Sequence, residues 1–85
     1  MTVVLLPAVL AVEAGGQKRF EVEAETVGEA LRALPIRDLL FDETGGLRRL
    51  VNVYVDGVDT HGAGGLETPL SANATVRIVG AVAGG

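Results

Sequence analysis

Cysteine is absent from this 85-residue chain, tryptophan is absent too, and histidine and methionine occur once each. Without thiols there can be no disulfide staple, zinc knuckle, iron–sulfur ligation or cysteine nucleophile. The single imidazole, His61, supplies neither a histidine-rich metal set nor a pair for acid–base work. Aromatic residues stop at Phe20, Phe41 and Tyr54, and the only lysine is Lys18. Few stacking platforms and a net charge of −4 argue against nucleic-acid binding. Nor is there a Gly-x-x-x-x-Gly-Lys-Ser/Thr phosphate loop.

What is present is ordinary globular material. Hydrophobic residues make up 48% and charged residues 21%, which excludes a disordered chain. The length allows one small domain, burying only about 60% of its unfolded surface, and no interdomain cleft. Val3–Val12 has the look of an export segment, but it is far short of the ~20 residues that span a bilayer. No basic residue precedes it, and it is the richest β-forming run available. The expectation is a cytoplasmic protein, away from membranes, with an acidic surface suited to a basic protein partner.

Eight of the 12 glycines fall in Gly-Gly pairs, at 15–16, 45–46, 64–65 and 84–85. The first three sit between periodic segments and read as turns; the fourth follows every predicted element. Residues 2–12 read as a buried strand with Pro7 at a bend or edge, joined by Gly15-Gly16 to a second strand in an antiparallel hairpin. In that second strand Phe20, Val22 and Ala24 face inward, while Arg19, Glu21 and Glu23 face water. Thr26 and Glu29 have the spacing of a capping box. Val27, Ala30, Leu31 and Leu34 then form one apolar helical stripe that Pro35 stops, which gives a helix over about 26–34. Residues 36–49 predict a short helical turn and a loop. Residues 50–55 form a strand closed by Asp56-Gly57, a short strand fits near 58–61, and 74–79 is the last strand, with Val76 and Ile78 inward.

The order β-β-α-β-(β)-β gives an α+β fold: a β-grasp (ubiquitin-like) domain, its mixed four- to five-stranded sheet packed on one main helix. Residues 1–79 form that domain, and residues 80–85 form a flexible C-terminal tail ending in Gly84-Gly85. With this order, three stretches resemble the ThiS/MoaD family of ubiquitin-like sulfur carriers: Leu50–Gly57, Gly65–Leu70 and Ala81–Gly85. Phe41-Asp42-Glu43 and Leu47-Arg48-Arg49 make the likeness strongest to its CysO-type, cysteine-biosynthesis members.

The resemblance implies that the Gly85 α-carboxylate is the working group and that the chain is a protein co-substrate, with no catalytic residues, bound cofactor or metal of its own. A carboxylate is a poor electrophile. A ubiquitin-activating-enzyme-like adenylyltransferase would convert it to an acyl-adenylate with ATP and Mg. Persulfide sulfur from a rhodanese-type sulfurtransferase or the activating enzyme would then attack, and reductive cleavage would leave a covalent C-terminal thiocarboxylate. The resemblance favours a cysteine-synthase-like acceptor, with a zinc-dependent peptidase releasing the product; molybdopterin, thiamine and sulfur-containing secondary metabolites are the other destinations. Six residues beyond the last strand reach roughly 20 Å, enough to thread a closed active site. Gly84 and Gly85 put no Cβ on the channel wall, and Val82 and Ala83 add modest apolar contact. The carboxylate of Gly85 is expected to be ready without processing.

The docking surface is expected on the solvent face of the sheet, at Asn52, Tyr54, Thr75, Arg77 and Val79. His61, with Asp59 nearby, reads as an exposed loop residue; Glu21, Glu23, Glu25 and Glu29 as a solvated acidic face; Arg48-Arg49 as surface charge or partner contact. Two other functions stay open from sequence. One is a ubiquitin-like modifier joined through Gly85 to a target lysine; the other is a plain β-grasp binding module with an inert tail.

Overall fold

In the computed structural model, which describes residues 1–48, 51–60 and 64–80, the first apolar run divides at Pro7. Strand β1 spans Thr2–Leu5 and helix α1 spans Ala8–Glu13. This corrects the single strand expected over residues 2–12, and with it the tight hairpin. Proline has no N–H to continue a ladder, and Pro7 takes the N-cap position of α1 at φ −70°. Its carbonyl accepts from the Leu10 and Ala11 N–H groups at 3.1 and 2.9 Å. Ala11 is buried, while Val9 and Val12 are 55% and 72% exposed. Gly15-Gly16 does turn the chain, but as a helix cap. The Gly16 N–H donates to the Ala11 carbonyl at 2.7 Å and the Gly15 N–H to that of Val12 at 3.3 Å, a Schellman closure with Gly15 at φ +76°.

Strand β2, Arg19–Val22, returns antiparallel to β1 in a register that sets Val4 against Phe20. Phe20, Val22 and Ala24 pack against the core, and Arg19, Glu21 and Glu23 are exposed, as the alternation requires. Helix α2, Val27–Arg32, begins at the Thr26 cap, whose Oγ1 accepts from the Glu29 N–H at 3.2 Å. The reciprocal bond reaches one residue further back than a standard capping box: Glu29 Oε1 accepts from the Glu25 N–H at 3.0 Å. Gly28 gives α2 a close approach to the turn at Gly65–Glu67: a Cβ there would stand 3.2 Å from the Leu66 carbonyl oxygen, tighter than ordinary contact. After Pro35, α3 (Arg37–Leu40) supplies the expected short helical turn, and the Arg32 guanidinium lies 5.2 Å from the centre of the Phe41 ring.

Strands β3 (Val51–Val55) and β4 (Val58–Asp59) form a hairpin through Asp56-Gly57 at φ 50° and 88°. Both positive angles mark a two-residue type I′ turn. A 3-10 turn at Gly65–Glu67 leads to β5, Thr75–Gly80. The five strands stand in the order β2-β1-β5-β3-β4, with β5 parallel to β1 and antiparallel to β3. This is the mixed sheet of a β-grasp. Its core joins Val4, Val53, Val76 and Ile78 of the sheet to Val27, Ala30, Leu31, Leu34 and Leu40 of the helical side. Burial of these side chains, at roughly 1.5–3 kcal/mol each, drives folding.

Candidate functional site

The residues expected to carry the chemistry, Val82, Ala83, Gly84 and Gly85, lie outside the described residues, so the site is built from the strand that leads to them. Two sheet neighbours fix the direction of β5. Parallel pairing to β1 and antiparallel pairing to β3 place it at the centre of the sheet. Its last described pair, Val51 with Gly80, sits at the rim where α1 begins. Strand β5 therefore ends in the middle of the sheet, flanked by β1 as far as Arg77 and by β3 as far as Gly80. Strand β5 runs to Gly80, one residue into the segment assigned to the tail.

The expected docking residues meet on the open face. The register of β3 on β5 pairs Asn52 with Val79 and Tyr54 with Arg77, so all four share one face in two adjacent rows. Asn52 and Tyr54 are half-buried, Arg77 is exposed and Val79 is 38% exposed. Thr75 lies on the same face. Sequence reasoning missed the contribution of β1. Val3 stands beside Thr75 and Leu5 beside Arg77, both half-buried on this face. One row then crosses the entire sheet: Arg19, Leu5, Arg77, Tyr54 and Asp59. Because β1 is apolar on both faces, no alternation marked Val3 and Leu5 as outward.

At this rim β5 outruns β1 and leaves a groove of about 200 Å³ lined by Leu5, Leu6, Pro7, Arg77, Val79 and Gly80. The Val3 N–H donates to the Ala74 carbonyl at 3.0 Å, which sets the phase of the parallel ladder. In that phase the Ile78 carbonyl faces Pro7, which has no N–H to offer. A wider hollow of about 460 Å³ opens at the opposite end of β1, bordered by Met1, Glu23, Glu25 and Glu29, where the terminal ammonium donates to the Ala72 carbonyl at 3.0 Å.

The remaining sequence candidates scatter. Glu23, Glu25 and Glu29 border that hollow while Glu21 pairs with Arg19, and among the described residues no group of carboxylates and imidazoles could hold a metal ion. Arg48 reaches the Asp38 carbonyl at 3.4 Å. Arg49 and His61 lie outside the described residues. Asp42 organises a polar turn: its Oδ1 accepts from the Thr44 hydroxyl at 2.6 Å and from the Thr44 and Gly46 N–H groups at 2.9 and 3.1 Å. The Thr44 hydroxyl above all, with those N–H groups and nearby Arg48, holds the Asp42 carboxyl below its usual range. No helix among the described residues is long and apolar enough to cross a membrane.

This architecture and its rim have close counterparts. Residues 4–85 match the ThiS family. The sulfur carrier protein CysO of Mycobacterium tuberculosis H37Rv is 36% identical over 89 aligned positions, covering 96% of each chain. In the crystal structure of the Amycolatopsis orientalis BexX/CysO complex, a chain superposes with a TM-score of 0.86 at 34% identity, covering 100% of both chains. The solution structure of small archaeal modifier protein 1 from Methanosarcina acetivorans superposes at 0.82 with 27% identity, covering 99% of this chain and 95% of that one. The chain therefore belongs to the ThiS family of ubiquitin-like sulfur carriers and is similar to its CysO-type members.

Proposed function

We propose that the chain carries sulfur on the Gly85 carboxylate and delivers it in cysteine formation. The observation that supports this most is the span of the family match, which runs through the β-grasp domain and on to Gly85 itself. The CysO-type relatives add the cysteine pathway as the favoured destination.

The chemistry follows from the carboxylate. An adenylyltransferase related to ubiquitin-activating enzymes joins Gly85 to the AMP of MgATP and releases pyrophosphate. A persulfide, supplied by a rhodanese-type sulfurtransferase, displaces AMP and leaves an acyl disulfide. A thiol reductant then cleaves the S–S bond, which frees the thiocarboxylate. That group is ionised near neutral pH and attacks as a thiolate. The carrier contributes no acid, base or metal to these steps: it presents the carbonyl carbon and docks. A cysteine-synthase-like enzyme accepts the sulfur, and a zinc-dependent peptidase restores Gly85. The structural complex of a CysO with BexX belongs to a different protein, and it supports the idea that such carriers dock on a partner through a preformed domain.

Protein modification is the second reading, favoured by the likeness to small archaeal modifier protein 1. It uses the same adenylate but ends in an isopeptide bond to lysine. Intact-mass analysis of untagged protein from its host separates the two. Sulfur in place of one oxygen at Gly85 is the expected result; lysine-linked conjugates without a thiocarboxylate support the modifier. Neither species, with full function retained after removal of Gly84-Gly85, would overturn both.

A further inference from the structure

We propose that the outer edge of β2 is a self-association site, where Arg19–Val22 pairs antiparallel with the same strand of a second copy about a two-fold axis through Phe20. This surface is separate from the tail and does not depend on what the tail carries.

Strand β2 is one of the two edges of the sheet; the other, β4, has only two residues. The phase of the β1–β2 ladder decides what that edge offers. The Leu6 N–H donates to the Lys18 carbonyl at 2.8 Å, so residues 18, 20 and 22 turn their backbone groups toward β1. Arg19 and Glu21 therefore direct their N–H and C=O groups outward. A side chain already occupies part of this row: Gln17 Nε2 donates to the Arg19 carbonyl at 2.8 Å, where an incoming strand would put a backbone N–H.

The side chains select the register. Arg19-Phe20-Glu21 reverses its charge about Phe20. Antiparallel pairing centred there sets Arg19 opposite Glu21 of the second copy, twice, in hydrogen-bonded positions. Centring on Arg19 or on Glu21 would instead oppose like charges. Within one chain the Arg19 guanidinium already meets Glu21 at 2.6 Å, so the pair of strands would close a four-membered ring of alternating charge. On the other face, Phe20 meets its own counterpart in the close, non-hydrogen-bonded position, extending the partly buried Phe20–Val22 strip.

Edges that must stay single are usually blunted by proline, a bulge, a very short strand or charged side chains, and charge repels a second copy only where like signs are opposed. The β1–β2 register is uninterrupted, and the outward positions of β2 hold one charge of each sign. The joined sheet keeps the two β5 strands five strand spacings apart, about 24 Å at ~4.8 Å each, with Gly80 of both copies clear of the contact. Such an interface is smaller than the usual ~1,200 Å² of stable pairs, so the dimer is weak and fills at high concentration.

Sedimentation of the full chain from on the order of 10 µM to 1 mM should show monomer passing to dimer, with amide exchange slowed at Arg19 and Glu21. Glu21→Arg opposes like charges at both cross-strand pairs and should weaken association about tenfold. Adding Arg19→Glu to that variant should restore it. Both side chains are exposed, and matching thermal melts will verify that folding is kept. A protein that stays monomeric over the whole range overturns the proposal, as does a dimer unmoved by Glu21→Arg or a charge-swapped variant that fails to recover.

Discussion

Asp56 and Thr75 exchange two hydrogen bonds across the end of the β3–β5 ladder. The Asp56 N–H donates to the Thr75 carbonyl at 2.9 Å, and the Thr75 N–H donates to Asp56 Oδ1 at 3.0 Å. One residue thus serves two elements. It opens the β3–β4 turn in a left-handed conformation, and it ties the first residue of β5 to β3. Asp56→Ala should destabilise the domain by about 1–2 kcal/mol in urea unfolding, through the lost acceptor and the left-handed backbone. Asp56→Asn keeps an acceptor and tolerates that conformation, so it should cost far less.

The Thr26 cap makes a second local prediction. Thr26→Ala removes the acceptor for the Glu29 N–H and should cost about 1 kcal/mol. For a domain of this size that lowers the melting temperature by roughly 4–8 °C. Glu29→Gln retains an acceptor for the Glu25 N–H and should melt close to the parent. A cap variant with an unchanged melting curve would show that tertiary packing alone starts α2.

These two sites show why parts of the fold were legible. Thr26-x-x-Glu29 and Asp56-Gly57 are short-range signals: the cap closes within three residues, and the turn needs only two adjacent residues at positive φ. The alternation of β2, β3 and β5 was legible because each has one polar face. The division of residues 2–12 into β1 and α1 was not, because both elements are apolar and the run changes period only at Pro7. Helix α1 then ends in a glycine pair that serves a hairpin turn or a Schellman cap equally well. The composition of the open face was half legible. Asn52, Tyr54, Arg77 and Val79 followed from alternation within their own strands. Val3 and Leu5 joined them only through the parallel register of β1 on β5, a long-range pairing that no local pattern encodes.

Asp42 predicts a pH response. Its carboxyl is held below the ordinary aspartate value of about 3.9, first by the Thr44 hydroxyl and then by the Thr44 N–H. A depressed folded value means its contribution is fully present above the unfolded value and is lost as pH falls through the folded one. Carboxyl titration by NMR should place Asp42 among the most acidic side chains. Thr44→Val, which deletes the hydroxyl but keeps the N–H, should move that midpoint upward. An unmoved midpoint would assign the effect to the backbone groups and Arg48.

The division of labour between face and tail makes the last prediction. Arg77→Glu reverses the one cation in the centre of the open face, beside Tyr54 and Leu5. Arg77 is exposed, so its replacement should leave the melting temperature within about 2 °C of the parent. If this face docks on the activating enzyme, KM for the carrier should rise about tenfold with kcat little changed, the signature of lost uniform binding. Replacing Gly84 by a bulky residue should do the reverse. The domain still docks, but the carbonyl no longer threads to the reacting position, so kcat falls while KM holds. A pyrophosphate-exchange assay reads both parameters. Equal loss of kcat and KM effects in both variants would mean that face and tail act as one contact, and the docking surface would have to be sought elsewhere on the sheet.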